Sequence, residues 1–405
     1  AILEKEDELR NAMVHEMGKP YAGAEEDILR LTEALEWYPN AMKNLREEQI
    51  PDYEGTHTHK MISKPAGVAL AYLAWNFPLL NVGYKIGPAL ASGCSLIIKP
   101  SSLSPLSTYM VGEILHSINF PAGVVTILAG SSSEVATPMT TSKIPAVITM
   151  IGSTQTGQRI IADSTTSIKK LGMELGGNAP FIVFEDADFE TALNLAIILR
   201  FHNTGQICVA ANRILVHKNI YDKFLKAYIK RASELKIGFG IKENEDVFMG
   251  PLATSEARDR MFDVIEDAVS KGASLEYGGK IPEDLPKGGY WLQPTVVSGI
   301  TTDMKLFREE TFGPVAGIMS FDTDDEVLEL ANDTEFGLAS YIFTNNNKRI
   351  ERFTEDLEFG EIQINGVKYA IYLPHGGFKN SGIGHDCSHL ALDDYLVKKR
   401  ITSAL

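Results

Sequence analysis

The chain has 405 residues, enough to bury two substantial cores, so at least two domains are expected. With 44% hydrophobic and 22% charged residues, its composition is that of a soluble globular protein and excludes a disordered or fibrous one. A net charge of −15 without a local basic patch argues against nucleic acid and anionic membrane surfaces, leaving small molecules and copies of itself as expected partners.

The opening stretch, "AILEKEDELRNAMVHEMGKPYAGAEEDILRLTEALEWYPNAMKN", places apolar residues at helical spacing interrupted by "GKP", which predicts two amphipathic helices. After Pro65 short apolar runs alternate with helix-like segments. "GVALAYLAW" leads to "NFPLLNVGYKIGPAL", "SLIIKP" to "LSTYMVGEILHSI", and "AVITMIGS" to "TGQRIIAD". Such alternation predicts right-handed crossover units on a mainly parallel sheet. A second series begins at "APFIVF", where Asp186 and Asp188 precede "FETALNLAIILRF" as helix-starting residues, and runs on to "GEIQIN". The expected fold class is therefore α/β, with two doubly wound domains meeting near Gly176. The tail "DDYLVKKRITSAL" alternates apolar and polar residues like an edge strand offered to a partner.

No apolar run approaches about 18 residues and the N-terminus is charged, so neither a membrane span nor a secretory signal is predicted and a cytoplasmic location is expected. Cys94, Cys208 and Cys387 are odd in number and widely spaced, without a CxxC or Cys/His pattern, which predicts neither a disulfide scaffold nor a metal site. Ligands of open parallel sheets bind beyond the carboxyl ends of the strands, which points to Asn76, Lys99 and Gly152 to Gly157. The GxGxxG fingerprint is absent, and "GFG" at 238–240 lacks its third glycine.

Seven segments, "WNFP" (75–78), "KPS" (99–101), "GST" followed by glycine (152–157), "ELGGN" (174–178), "GQIC" (205–208), "EETFGPV" (309–315) and "SGIG" (381–384), occur in order along the chain. In this order and spacing the sequence resembles the NAD(P)-dependent aldehyde dehydrogenase superfamily, its non-acylating semialdehyde and lactaldehyde branch in particular. The resemblance implies an NAD(P)-binding domain over 1–46 and 66–176, a catalytic domain over 177–390, and a small β oligomerisation element over 47–65 and 391–405, assembled as a homodimer or homotetramer. The N-terminal segment that normally precedes "LRNAMVHEMGKP" is expected to be missing.

By this resemblance Cys208 is the nucleophile, a thiolate once its pKa is lowered, whereas Cys94 and Cys387 suit the role of small core residues. The Asn76 amide and the Cys208 backbone N–H would hold the oxyanion. Glu174 would activate the water that clears the thioester, which argues against a CoA-acylating enzyme and, with Cys208 and Asn76, against a non-catalytic member of the fold. Lys85 and Asp386 match a lysine and an acid that relay protons, although "GHD" stands here where many members have "GRE". For NAD or NADP, the resemblance assigns Lys99 to the adenosine ribose, Gly152 and Ser153 to the pyrophosphate, and Glu310 to the nicotinamide ribose, with Trp75 and Phe312 packing nearby. Ser102 stands where many NAD-preferring members carry Glu, so NADP should be tolerated.

Substrate-facing positions are expected at Tyr84, His202 and His375. Tyr84 and His202 replace the paired arginines of succinate-semialdehyde dehydrogenases. His202 could hydrogen-bond a hydroxyl, carboxylate or sulfonate, or be a structural histidine. The segment "NGVKYAIYLPHGGFKNSG" adds Lys368, Tyr369, Tyr372 and His375. A small polar or anionic aldehyde, such as a lactaldehyde, a sulfolactaldehyde or a semialdehyde, is the expected substrate.

Overall fold

The computed structural model describes residues 1–43, 45, 47–244 and 246–405. The domain boundary expected at residue 46 lies outside the described residues.

The two helices read from the opening stretch are Glu6–Met17 and Tyr21–Lys43. They are separated where Gly18 adopts a left-handed conformation (φ +80°) and donates back to Val14, the usual glycine stop. They do not extend the sheet. The second lies along Pro78–Ser92, and a Cβ at Gly83 would sit 2.8 Å from Leu31 Cα, so this close crossing requires glycine.

Among the described residues three larger sheets and the two-stranded pair Phe336–Gly337 with Phe378–Lys379 organise the rest. The first has six strands in the spatial order Gly382–Ile383, Lys170–Glu174, Pro145–Ile151, Val68–Tyr72, Ser95–Lys99 and Val125–Ile127. All neighbours are parallel except Gly382–Ile383, which pairs antiparallel with Met173 and Glu174. The chain thus returns from the segment 177–390 to close the edge of the first sheet beside Glu174. The second sheet has seven strands, Ser274–Tyr277, Thr295–Ser298, Val315–Phe321, Ala211–His217, Ala179–Val183, Ala339–Phe343 and Glu361–Ile364, parallel apart from the first pair. Every residue of Ala179–Val183 and Ala211–His217 is buried, as strands covered by helices on both faces must be.

The third sheet pairs Glu47–Ile50 with His57–Pro65, and His57–Pro65 with Leu396–Ala404, all antiparallel. Residues 391–395 of the expected oligomerisation element belong to the helix Leu390–Tyr395, whose Ala391 and Leu392 join Tyr38, Tyr84 and Cys387 in one hydrophobic cluster. From Val397 onward the terminal strand is exposed. Among the described residues no helix is long and apolar enough to cross a membrane.

Candidate active site

Cys208 follows the helix Phe189–Phe201 and a tight turn in which Asn203 (φ +48°) and Thr204 (φ +59°) both adopt left-handed conformations. Such backbone costs about 1–3 kcal/mol per residue and persists only when its surroundings over-determine it. Here they do. Asn203 Nδ2 donates to the Asn76 carbonyl at 3.0 Å, Thr204 Oγ1 to the Gly250 carbonyl at 3.0 Å, and Gln206 Nε2 to the Asn203 carbonyl at 3.0 Å. The "ELGGN" loop lies directly against this turn, for a Cβ at Gly177 would come within 2.2 Å of the Cys208 carbonyl oxygen.

Cys208 opens onto a cavity of about 290 Å³ that also receives Asn76, Glu174, Tyr84, His202 and His375. All three expected substrate-facing residues are therefore brought to the nucleophile. Phe77, Leu80, Ile198, Ile207 and Val367 supply apolar wall, and Glu26 is the one further acid. No Lys or Arg lines this cavity among the described residues. One N–H of the Asn76 amide is spent on the Gln206 carbonyl at 3.0 Å, leaving its second for a ligand, and the Cys208 backbone N–H makes no hydrogen bond to the described residues.

The electrostatics correct one expectation. The Cys208 thiol is not held low. Burial pushes it up to about 12 and the Glu174 carboxylate adds to the rise, while His375 pulls in the opposite direction. His202 falls to about 4, through burial first and the nearby Lys19 second, so it faces the cavity as a neutral ring. Burial also raises the Tyr84 phenol well above its ordinary value.

Glu174 ends the strand Lys170–Glu174 and is buried. Its Oε1 lies 3.3 Å from His375 Nε2, and that pair falls short of hydrogen-bond geometry. Lys85 does not reach the cavity. Its ammonium is 2.6 and 2.8 Å from the two Asp386 oxygens, a closed buried ion pair under the site. The shorter Asp thus still meets the lysine, and the two residues expected to relay protons are in contact.

A second cavity, of about 170 Å³, lies between Lys99 and the helix Thr154–Asp163, lined also by Tyr72, Ser101, Thr140 and Arg159. Burial lowers the Lys99 ammonium. Ser101 lines this cavity, whereas Ser102 is exposed in the following turn and does not. Ser153 caps the helix by accepting the Thr156 N–H at 3.3 Å. The Gly152 N–H is spent on the Glu174 carbonyl at 3.0 Å, which ties the start of this loop to the end of the strand Lys170–Glu174. Between the two cavities Glu310 Oε1 accepts the Gly177 N–H at 3.0 Å, and burial raises its carboxyl to about 7. Trp75 and Phe312 meet edge to face with centroids 5.6 Å apart.

Two participants escaped the sequence. Glu361 sits 2.5 Å from His375 Nδ1, but an acid within "GEIQIN" reads as a solvent-facing strand residue. Asp27 reads as one more charge on an amphipathic helix. It is buried, paired with Lys19 at 2.6 Å and accepts the N–H groups of Leu79 and Leu80, fixing the first turn of the helix that follows Asn76.

Two α/β layers with a half-buried cysteine and a buried carboxylate in one cavity, beside a lysine-lined cleft at strand ends, are the layout of a nucleotide-linked dehydrogenase. The family model described as aldehyde dehydrogenase matches residues 1–401, and the chain belongs to that family. It is 39% identical over 396 residues to glutarate-semialdehyde dehydrogenase of Pseudomonas putida, covering 98% of this chain and 81% of that one. It is 37% identical over 401 residues to 3-sulfolactaldehyde dehydrogenase of Pseudomonas putida, covering 99% and 82%. The crystal structure of an NADP-dependent enzyme of E. coli superposes with a TM-score of 0.96 at 37% identity, covering 100% of this chain and 83% of that one.

Proposed function

We propose that this aldehyde dehydrogenase oxidises a small polar aldehyde to its acid with NAD or NADP, through a thiohemiacetal and then a thioester on Cys208. The observation that carries this is the meeting of Cys208, Glu174 and the unspent Asn76 N–H in one cavity. The Cys208 thiol loses its proton to solvent, and attack by its sulfur forms the S–C bond as the carbonyl electrons move onto oxygen, where Asn76 and the Cys208 N–H donate. The cofactor, when bound, accepts the hydride. Glu174 then takes a proton from the water that attacks the thioester, the C–S bond breaks, and the thiolate leaves.

The cofactor fits what the protein offers. Glu310 has one carboxylate oxygen committed to Gly177 and another available to a ribose hydroxyl, Lys99 and Ser101 face the cleft for the adenosine, and Arg159 at its rim suits a 2′-phosphate. With Ser102 adding no negative charge, NADP use is supported beside NAD. The first sheet would form the cofactor domain and the second the catalytic domain, and the exposed terminal strand would pair with another copy.

Within the expected substrate class, an uncharged hydroxyaldehyde of the lactaldehyde type is favoured over a semialdehyde or sulfolactaldehyde. A distal anion would meet Glu26 and a neutral His202 in a cavity lined by no Lys or Arg among the described residues, and burying it unpaired is costly. Replacing Glu174 by Gln should stall the thioester. Intact-mass spectrometry after mixing with aldehyde and cofactor should then find one acyl group on the Cys208 peptide; an unmodified Cys208 beside undiminished turnover would refute the assigned roles.

A further inference from the structure

The His375 ring stands between three groups. Its Nδ1 is 2.5 Å from Glu361 Oε1, its Nε2 is 3.3 Å from Glu174 Oε1, and a ring nitrogen, the Glu174 carboxylate and Cys208 Sγ all lie within 4.8 Å of one another. The backbone that carries the ring is tied down. The His375 backbone exchanges hydrogen bonds with Asp386 in both directions, at 2.8 and 2.7 Å, and Asp386 is held by Lys85. Tyr84 and Tyr369 flank the ring, each with centroids 6.2 Å from it.

We propose that His375, clamped by Glu361, is carried as an imidazolium whose second N–H faces Cys208 and stabilises the thiolate that attacks the aldehyde. This rests on Cys208 being the nucleophile, and it assigns His375 a part in the chemistry beyond lining the substrate cavity.

The charge balance supports it. The groups facing the ring are Glu361 from its strand, Glu174 from the first sheet, Cys208, Tyr84 from the helix Pro78–Ser92, Tyr341, Tyr369 and Cys387. Burial holds the three phenols and the Cys387 thiol in their neutral forms, and Lys85 is neutralised by Asp386. Two carboxylates and a nucleophile would otherwise face one another in a dry site, and His375 is the one cation among them. Burial opposes charge on the ring, but Glu361, then Cys208 and Glu174, outweigh it and raise its pKa well above the ordinary value. When the thiol proton is lost to solvent, the sulfur gains the negative charge that the imidazolium faces, and the S–C bond follows. The ring keeps its proton throughout. Glu361 also lines a neighbouring cavity of about 290 Å³ that shares Tyr84, Tyr369 and His375 with the substrate cavity.

The test is the pH profile of Cys208 alkylation by iodoacetamide, without substrate or cofactor, in the parent protein and the His375→Gln and Glu361→Gln variants, followed by peptide mass spectrometry. His375→Gln should slow alkylation of Cys208 at neutral pH by about tenfold or more, because only the thiolate reacts. Glu361→Gln preserves shape but frees the ring to deprotonate, so its alkylation should match the parent at low pH and fall behind as pH rises through neutrality. A role confined to packing would not produce that crossing. Profiles of both variants parallel to the parent would overturn the proposal, as would faster alkylation in His375→Gln. If Cys208→Ser abolishes dehydrogenase activity while those profiles stay parallel, only the imidazolium assignment falls; if Cys208→Ser remains active, the functional assignment itself falls.

Discussion

The Asn76 amide donates to the carbonyl of Gln206, two residues before Cys208, and Asn203 answers by donating to the Asn76 carbonyl, both at 3.0 Å. The oxyanion donor and the nucleophile turn, some 130 residues apart in sequence, are thereby fixed to each other. Replacing Asn76 by Ala should lower kcat by about 10²–10³-fold, the usual cost of one preorganised oxyanion donor. Asn203→Ala keeps the donor and loosens only its support, so its loss should be smaller. Steady-state rates of the two variants check this, and equal losses would locate the effect in the turn.

Gly177 packs against the nucleophile from the other side. A methyl group there would meet the Cys208 carbonyl oxygen at 2.2 Å, and a backbone atom cannot yield as a flexible side chain does. Gly177→Ala should displace Cys208 by a fraction of an ångström and lower kcat by about 10²-fold while the protein remains folded. Activity set beside a thermal melt separates the two effects.

The Glu310 carboxyl, raised by burial to about 7, should give the cofactor a pH-dependent affinity. A ribose hydroxyl donates best to the ionised form, so the cofactor KM should rise as pH falls through about 7 and level off above it. Glu310→Gln cannot ionise and should give a weaker, pH-independent KM. A pH series of KM for NAD and NADP with both proteins tests the sign.

Asp27 is a stability position with an indirect reach into the site. Removing it strands the buried Lys19 ammonium and two helix N–H groups, and breaking a buried pair from one side costs about 3–5 kcal/mol. Asp27→Ala should therefore lower the denaturant midpoint sharply, and Asp27→Asn, which keeps an acceptor for Leu79 and Leu80, should lose less.

The sequence carried most of the layer plan, because Val68–Tyr72, Ser95–Lys99 and Pro145–Ile151 are short apolar runs ending in turn residues, and this signal is local. It also carried the positions gathered at Cys208, since Asn76, Glu174, His202 and His375 sit in recognisable segments. What it could not carry depends on distant partners. Gly382–Ile383 is too short to read as a strand and exists only through its pairing with Glu174. The spent N–H of Gly152, the closed Lys85–Asp386 pair and the exposed Ser102 are set by neighbours that spacing does not reveal. Glu361 matters only because His375 lies 2.5 Å away. The rise of the Cys208 thiol reflects burial that a motif leaves unstated.

The most direct test is reduced-cofactor formation by the purified protein and its Cys208→Ser variant across small hydroxyaldehydes, semialdehydes and sulfolactaldehyde, with NAD and with NADP and without CoA. The parent should form one reduced cofactor per acid produced, most efficiently with an uncharged hydroxyaldehyde and with measurable use of both cofactors, and the variant should form none. Turnover that requires CoA, or a Cys208→Ser variant as active as the parent, would contradict hydrolytic oxidation through a Cys208 thioester.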